Sequence, residues 1–308
     1  HYGIPLSESM TFGLSSALSF AYLPLLEVSG QPLIAYRMPP KSIVKGLQKP
    51  LGLDMRFETF NTPERGMARL DALLAQDRVV GLQTSVYWLP YFPDDLRFHF
   101  NAHNLLVYGR EGDEYLISDP VFEEPMRCAR VDLQRARFAR GLLAPKGLLY
   151  YCPHDTGQAR NGDWIAHIPA AIRKTTRIMR SPLPWIGTRG IRRLARAVRG
   201  LDTKDASLST LFVGHIVRMQ EEIGTGGAGF RFMYASFLQE AATLCGKPVW
   251  NELADALVDI GDGWREFALL AARMCRGRDT FDPPALAELI EQLSSREEAF
   301  FHALRRSL

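Results

Sequence analysis

HFNAHNLLVYGREGDEYLISD, residues 99–119, reads as two antiparallel strands joined by the polar turn Arg110-Glu111-Gly112-Asp113. Leu105 and Val107 before the turn, with Tyr115 and Ile117 after it, supply the apolar positions of a hairpin that buries one face. His103 opens the first strand and Asp119, followed by Pro120, ends the second, so antiparallel pairing sets the two ends side by side. An imidazole placed there can donate its Nδ1–H to the carboxylate. That is the base and the orienting acid of a Cys–His–Asp site, without the nucleophile. Each residue alone has a plainer reading: a histidine at a strand start is more often structural, and Asp-Pro commonly ends a strand or turn. The hairpin brings both to one place and favours the chemical reading. His99, four residues upstream, is a second candidate to line the same pocket.

Outward from the hairpin, the first half of the chain mixes element types. Pro5-Leu6-Ser7-Glu8 predicts a helix start with Ser7 as N-cap, and the small residues Gly13, Ser15, Ser16, Ala17 and Ser19 suit close packing of a helix running to Phe20. Short strands are expected over 33–36 and 55–60, helices over 42–47 and 62–76, a buried strand over 79–88, a helix over 132–140 and a last strand over 148–152. From Asn161 onward the pattern is helical throughout, with a breaker at 182–187. This shift predicts an α+β domain over 1–153 and an all-α domain over 161–308.

A chain of 308 residues with 46% hydrophobic and 23% charged residues is ordinary for a globular protein with two cores. No apolar run approaches the length of a membrane span and no signal peptide is visible, so stable membrane insertion is not expected and a cytoplasmic location is. Cys128, Cys152, Cys245 and Cys275 fit neither a zinc pattern nor a redox pair, and they read as reduced, buried thiols. No metal site is expected. Net charge is only +3, yet residues 151–200 hold ten arginines and lysines against Asp155 and Asp163. Within that stretch Arg189, Arg192, Arg193 and Arg196 fall on one side of a helix, opposite Ile191, Leu194, Ala195 and Val198. Such a stripe is usually a solvated face; its functional reading is a dock for an acidic partner. No recognised DNA-binding module accompanies it, so a nucleic-acid partner is not expected. Long amphipathic C-terminal helices suit a homodimer.

Tyr2-Gly3-Ile4-Pro5-Leu6-Ser7-Glu8-Ser9-Met10, Phe12-Gly13-Leu14, Leu89-Pro90-Tyr91, His99 to His103, Tyr108-Gly109 and Asp119-Pro120 resemble, in order, the N-terminal domain of the butirosin-biosynthesis acyltransferase family. Gly224-Thr225-Gly226-Gly227, Phe230-Arg231, Tyr234, Phe237, Leu238 and Glu240 resemble the helical domain that follows it. The resemblance implies a papain-like cysteine-peptidase-type first domain and transfer of an acyl group from an acyl-carrier-protein thioester to a small amine acceptor. It implies no cofactor beyond the carrier's phosphopantetheine arm, itself part of the substrate, and it makes the carrier the expected occupant of the arginine stripe. The family's nucleophilic cysteine precedes the segment aligned with Tyr2-Gly3, so the expectation is a sequence that begins after it. Ser85 is a departure, since many relatives carry an acidic residue there.

His103 and Asp119 are therefore the expected catalytic residues, and Tyr91, His99, Ser85, Gly226, Gly227, Arg231, Tyr234 and Glu240 the expected substrate-binding ones. From spacing alone, the glycine-rich run at 224–229 is a tight interhelical turn; with the resemblance, its backbone N–H groups become candidates to hold an anion beside Arg231. Glu240 is then the candidate partner of the amine. Two further functions fit the same residues: a cysteine peptidase or amidase, and a nucleophile-less carrier-binding scaffold.

Overall fold

The computed structural model describes residues 5–28, 30–153, 163–202, 206–223 and 227–308. It divides into two compact units. One joins the described residues between Gly3 and Leu51 to those between Gln158 and Leu308; the other spans Gly52 to the last described residue before Gly157.

The chain opens with α1 (Glu8–Leu14), where the Ser7 hydroxyl accepts from Met10 N at 2.9 Å as the cap predicts. The helix expected to reach Phe20 stops six residues early. Ser16 takes a left-handed φ of 57°, Ser16 N and Ala17 N bond back to the carbonyls of Gly13 and Phe12, and the chain leaves as β1 (Leu18–Val28). That strand pairs antiparallel with β2 (Gln31–Arg37), and α2 (Pro40–Leu51) follows.

The second unit begins with β3 (Arg56–Glu58) and α3 (Pro63–Leu74), whose first turn carries the expected Thr62 cap and Pro63. Then come β4 (Val80–Thr84), β5 (His103–Glu111), β6 (Glu114–Ser118), β7 (Met126–Ala129), α4 (Arg130–Arg137) and β8 (Leu149–Tyr151). All pairings are antiparallel, in the order β3-β8-β4-β5-β6-β7. Met67 and Leu70 of α3 and Leu133 of α4 bury against Leu82, Leu105, Val107 and Ile117 of the sheet. The buried strand expected over 79–88 ends at Thr84, after which Val86–Trp88 is a 3-10 turn.

The helical half contains α5 (Ile168–Met179), α6 (Gly187–Arg199), α7 (Ala206–Glu221), α8 (Arg231–Cys245), α9 (Val249–Cys275) and α10 (Pro283–Arg306). Among the described residues no strand occurs after β8, in line with the all-helical pattern. The fold is thus α+β with a six-stranded antiparallel sheet and a helical C-terminal region.

The expected assignment of residues 1–153 to one domain differs from this packing. Residues before Gly52 join the helical half because their apolar groups are buried there. Phe20 meets Tyr36 edge-on at 5.2 Å, Tyr36 meets Trp264 of α9 at 5.8 Å, and Phe12 stacks on Phe230 at 5.2 Å. A Cβ on Gly13 would lie 2.1 Å from the Phe237 ring, so α1 approaches α8 as closely as only glycine allows. The hairpin β1–β2 lies against α6 and α7, and His215 of α7 donates its Nε2–H to Pro32 O at 3.0 Å. Among the described residues no helix is long and apolar enough to cross a membrane.

Candidate active site

β5 and β6 are joined by the two-residue loop Gly112-Asp113, with Gly112 at φ 57°, a conformation open to glycine at the first position of a tight hairpin. The register pairs Leu106 with Ser118, which places Asp119 opposite Leu105 and diagonal to His103 on the same face. Period-two alternation then aims His103, Leu105 and Val107 to the side taken by Tyr115, Ile117 and Asp119. The result is a hydrogen bond of 2.7 Å between His103 Nε2 and Asp119 Oδ2. The sequence reading expected Nδ1 at the carboxylate; the ring instead presents Nε2, because the strand directs the far edge of the imidazole across to Asp119. With Nε2 carrying the proton toward the carboxylate, Nδ1 holds the lone pair. Among the described residues Nδ1 has no hydrogen-bond partner.

The Asp119 side chain is fully buried and that of His103 is 11% exposed. Two further donors hold the carboxylate: the Tyr91 hydroxyl at 2.9 Å on Oδ2, and Val121 N at 3.0 Å on Oδ1. Burial raises the Tyr91 phenol pKa well above its usual range and the Asp119 charge adds to the shift, so Tyr91 stays a neutral donor. Phe92 meets the His103 ring edge-on at 5.4 Å and Phe122 at 4.9 Å, making an apolar wall on one side of the imidazole. Tyr91, expected to touch substrate, thus serves the carboxylate.

Asn101, which carries no periodic signal, ties the entry to β5 in place. Its Nδ2 donates to Arg140 O at 3.1 Å and Leu142 O at 2.9 Å, while Gln83 Nε2 donates to Asn101 O at 2.8 Å and Leu143 O at 3.0 Å. Ser85 is fully buried; its N–H donates to Ala136 O at 2.9 Å, and its hydroxyl has no partner among the described residues. His99 stacks on Tyr87 with ring centroids 4.0 Å apart, rather than on His103. A cavity of ~370 Å³ in this unit is lined by Tyr87, Trp88, Pro90, Asp94, Arg97 and Arg135, among others, and by neither His103 nor Asp119.

The candidates in the helical unit take other roles. Arg231 is completely buried and gives Nε and Nη2 to Glu297 at 2.9 Å each and Nη1 to Gly229 O at 2.7 Å. All three of its nitrogens are engaged within the protein and none is exposed to a ligand phosphate or carboxylate. Tyr234 is fully buried, and Glu240 accepts the Ser7 hydroxyl at 2.7 and 2.8 Å. Gly226 lies outside the described residues. Gly227, Ala228, Gly229 and Phe230 all have positive φ, 62°, 47°, 56° and 68°, in the turn that enters α8. In the α6 stripe, Arg192 pairs with Glu298 at 2.7 Å and Arg189 donates to Pro182 O at 2.9 Å, while Arg196 is exposed and Arg193 half-buried.

Burial pushes the Cys128 thiol up to about 12, and also raises Cys245 and Cys275 above the ordinary thiol value. Cys152 is buried. A nucleophilic thiol needs the opposite shift. Among the described residues no group of three or more His, Cys, Asp or Glu side chains is placed to hold a metal ion.

A family model described as a domain of unknown function, DUF4872, matches residues 131–304. A second, described as butirosin biosynthesis protein H, N-terminal, matches residues 1–120 and so contains both His103 and Asp119. No curated protein matches the chain.

Proposed function

The chain belongs to the family marked by this domain of unknown function and begins with a region of the butirosin-biosynthesis-protein-H N-terminal type, and from that premise we propose that it is a thiol-dependent acyltransferase of biosynthesis with a papain-like catalytic domain. One observation carries the reading: a buried, triply hydrogen-bonded Asp119 holds His103 by Nε2 and leaves Nδ1 as a free base.

Burial disfavours the thiolates of Cys128, Cys245 and Cys275, so the nucleophile is a cysteine preceding His1. His103 Nδ1 removes its proton and the thiolate attacks an acyl-carrier thioester. A carbon–sulfur bond forms to the enzyme, the bond to the carrier sulfur breaks, and the carrier thiol leaves with the proton from His103. In the second half an amine attacks the acyl-enzyme, His103 takes the amine proton, and the cysteine is released as the amide forms. Asp119 stabilises the imidazolium in both halves, and Tyr91 and Val121 keep the carboxylate pointed at the ring. The aromatic side formed by Phe92 and Phe122 keeps water from the imidazole on that flank.

Intact-protein mass spectrometry on full-length protein, incubated with acylated carrier protein, tests this. The expected result is a covalent increment equal to the acyl group, removed by an added amine and absent in His103→Ala. Wild-type protein that stays unmodified overturns the proposal, and turnover of peptide substrates without a carrier replaces it with a peptidase.

A further inference from the structure

Arg173, Arg177 and Arg180 follow one another at four and three residues along α5 and its C-cap, on the side away from the buried Ile168, Ile172 and Met179. The last turn of α10 brings Arg305 to the same place. With Thr176, Pro182 and Leu308, the four guanidiniums line an open cavity of ~450 Å³, and no acidic side chain lines it. Elsewhere in this unit arginines meet carboxylates: Arg192 with Glu298, Arg199 with Glu291, Arg231 with Glu297, Arg273 with Asp279. Among the described residues none of the four cavity arginines forms such a pair. Arg180 instead lies 3.4 Å from His302 Nε2, a neighbour that cannot neutralise it.

Four permanent charges around one hollow repel each other, and among the described residues no side-chain carboxylate pairs with any of them. The C-terminal ends of α5 and α10 favour cations nearby, which accounts for part of the cluster. Yet the final carbonyls of α5 are already engaged, Thr176 O by Arg180 N and Ile178 O by Ser181 N, each at 3.1 Å, and Arg173 stands well inside the helix. Thr176 gives its hydroxyl hydrogen to Ile172 O at 2.8 Å, so recognition falls to the guanidiniums. Their planar forks match phosphate oxygens two at a time. The hollow falls within the roughly 300–1,000 Å³ range of small-molecule sites.

We propose that this cavity binds the phosphate of a soluble phosphorylated small molecule, independently of the chemistry at His103. Isothermal titration of full-length protein with inorganic phosphate and with pyrophosphate, at ionic strength held constant with sodium chloride, tests it. Saturable binding to one site is expected. Affinity should fall about tenfold or more in Arg177→Gln/Arg305→Gln, and stay within about twofold in Arg193→Gln/Arg196→Gln, which removes the same charge from α6. Equal weakening in both variants, or no saturable binding by the wild type, overturns the proposal. Capture on phosphatidic-acid vesicles without a response to either soluble anion overturns it in favour of a lipid headgroup. Thermal unfolding without anion gives a second check. Relief of repulsion should leave Arg177→Gln/Arg305→Gln at least as stable as wild type, and a lower Tm would make these arginines helix-end braces and sink the site.

Discussion

Among the described residues, Asp119 and Glu297 are the two buried carboxylates that hold a cationic or potentially cationic partner, one in each unit, and each accepts three hydrogen bonds. Glu297 takes two from Arg231 and one from Trp264 Nε1 at 2.7 Å, and Arg231 places its remaining Nη1 on Gly229 O. Every nitrogen of that guanidinium and both carboxylate oxygens are engaged, and the pair is fully buried. Asp119 takes one from His103, one from Tyr91 and one from a backbone N–H, and the imidazole keeps an unengaged nitrogen. In the sequence, Arg231 was a candidate for ligand binding as His103 and Asp119 were for catalysis. The difference is completeness: a closed network fixes a fold, and a network with one open valence can do proton chemistry.

If Glu297 is structural, removing it strands a guanidinium with no exposure. Glu297→Ala is expected to cost roughly 3–5 kcal/mol of unfolding free energy. Arg231→Leu/Glu297→Leu, which removes both charges, should recover much of that loss. Urea unfolding followed by Trp264 fluorescence measures both. A Glu297→Ala protein as stable as wild type would erase the contrast.

Asp119→Asn breaks the other side of the comparison. The charge is removed but the shape stays, so the stability cost should be about 1–3 kcal/mol, smaller than at Glu297. Acyl-enzyme formation should fall by roughly 10²–10⁴, since an amide supports neither the ring orientation nor the imidazolium. Glu297→Gln, assayed below its Tm, should keep its acyl-enzyme rate. Rapid-quench mass spectrometry separates the two variants, and equal rate losses would mean that both carboxylates act only through folding.

Tyr91→Phe sharpens the same boundary with a smaller change. It removes one of the three donors to Asp119 and should cost about 1 kcal/mol. Because His103 and Val121 N still hold the carboxylate, the acyl-enzyme rate should drop less than in Asp119→Asn. A loss as large as that of Asp119→Asn would make the phenol a participant in the reaction rather than a support.

His103 and Asp119 were legible because two local rules fix them: alternation along the strands, and a two-residue turn whose Gly112 sets the register. Which ring nitrogen meets the carboxylate was not legible, since spacing gives the face of a residue and not the rotation of its ring. Glu297 escaped notice because its partner Arg231 lies 66 positions away, and no periodicity links them. The strand from Leu18 was hidden by the small residues before it, which suit helix packing; the reversal depends on one left-handed residue, Ser16. That hidden strand also explains why residues before Gly52 were placed with the sheet. The aromatic contacts that draw them to the helical half join Phe20 and Tyr36 to Trp264, far along the chain.

His215 supplies the smallest test, because it is an imidazole whose partner is a carbonyl instead of a carboxylate. Burial lowers its pKa below the ordinary histidine value, against the opposing effect of its hydrogen bond to Pro32 O and with a further push down from Arg218. The folded chain therefore resists a proton that the unfolded chain accepts once pH drops below about 6.5. Stability from this group is complete above that pH and is lost as pH falls through the lower, folded value. His215→Gln keeps a donor toward Pro32 and cannot titrate. Its unfolding free energy should decline less steeply than wild type between pH 6.5 and 5, with the two curves parallel above 7. Identical slopes in acid would mean that the buried imidazole at the carbonyl is as easily charged as one in water.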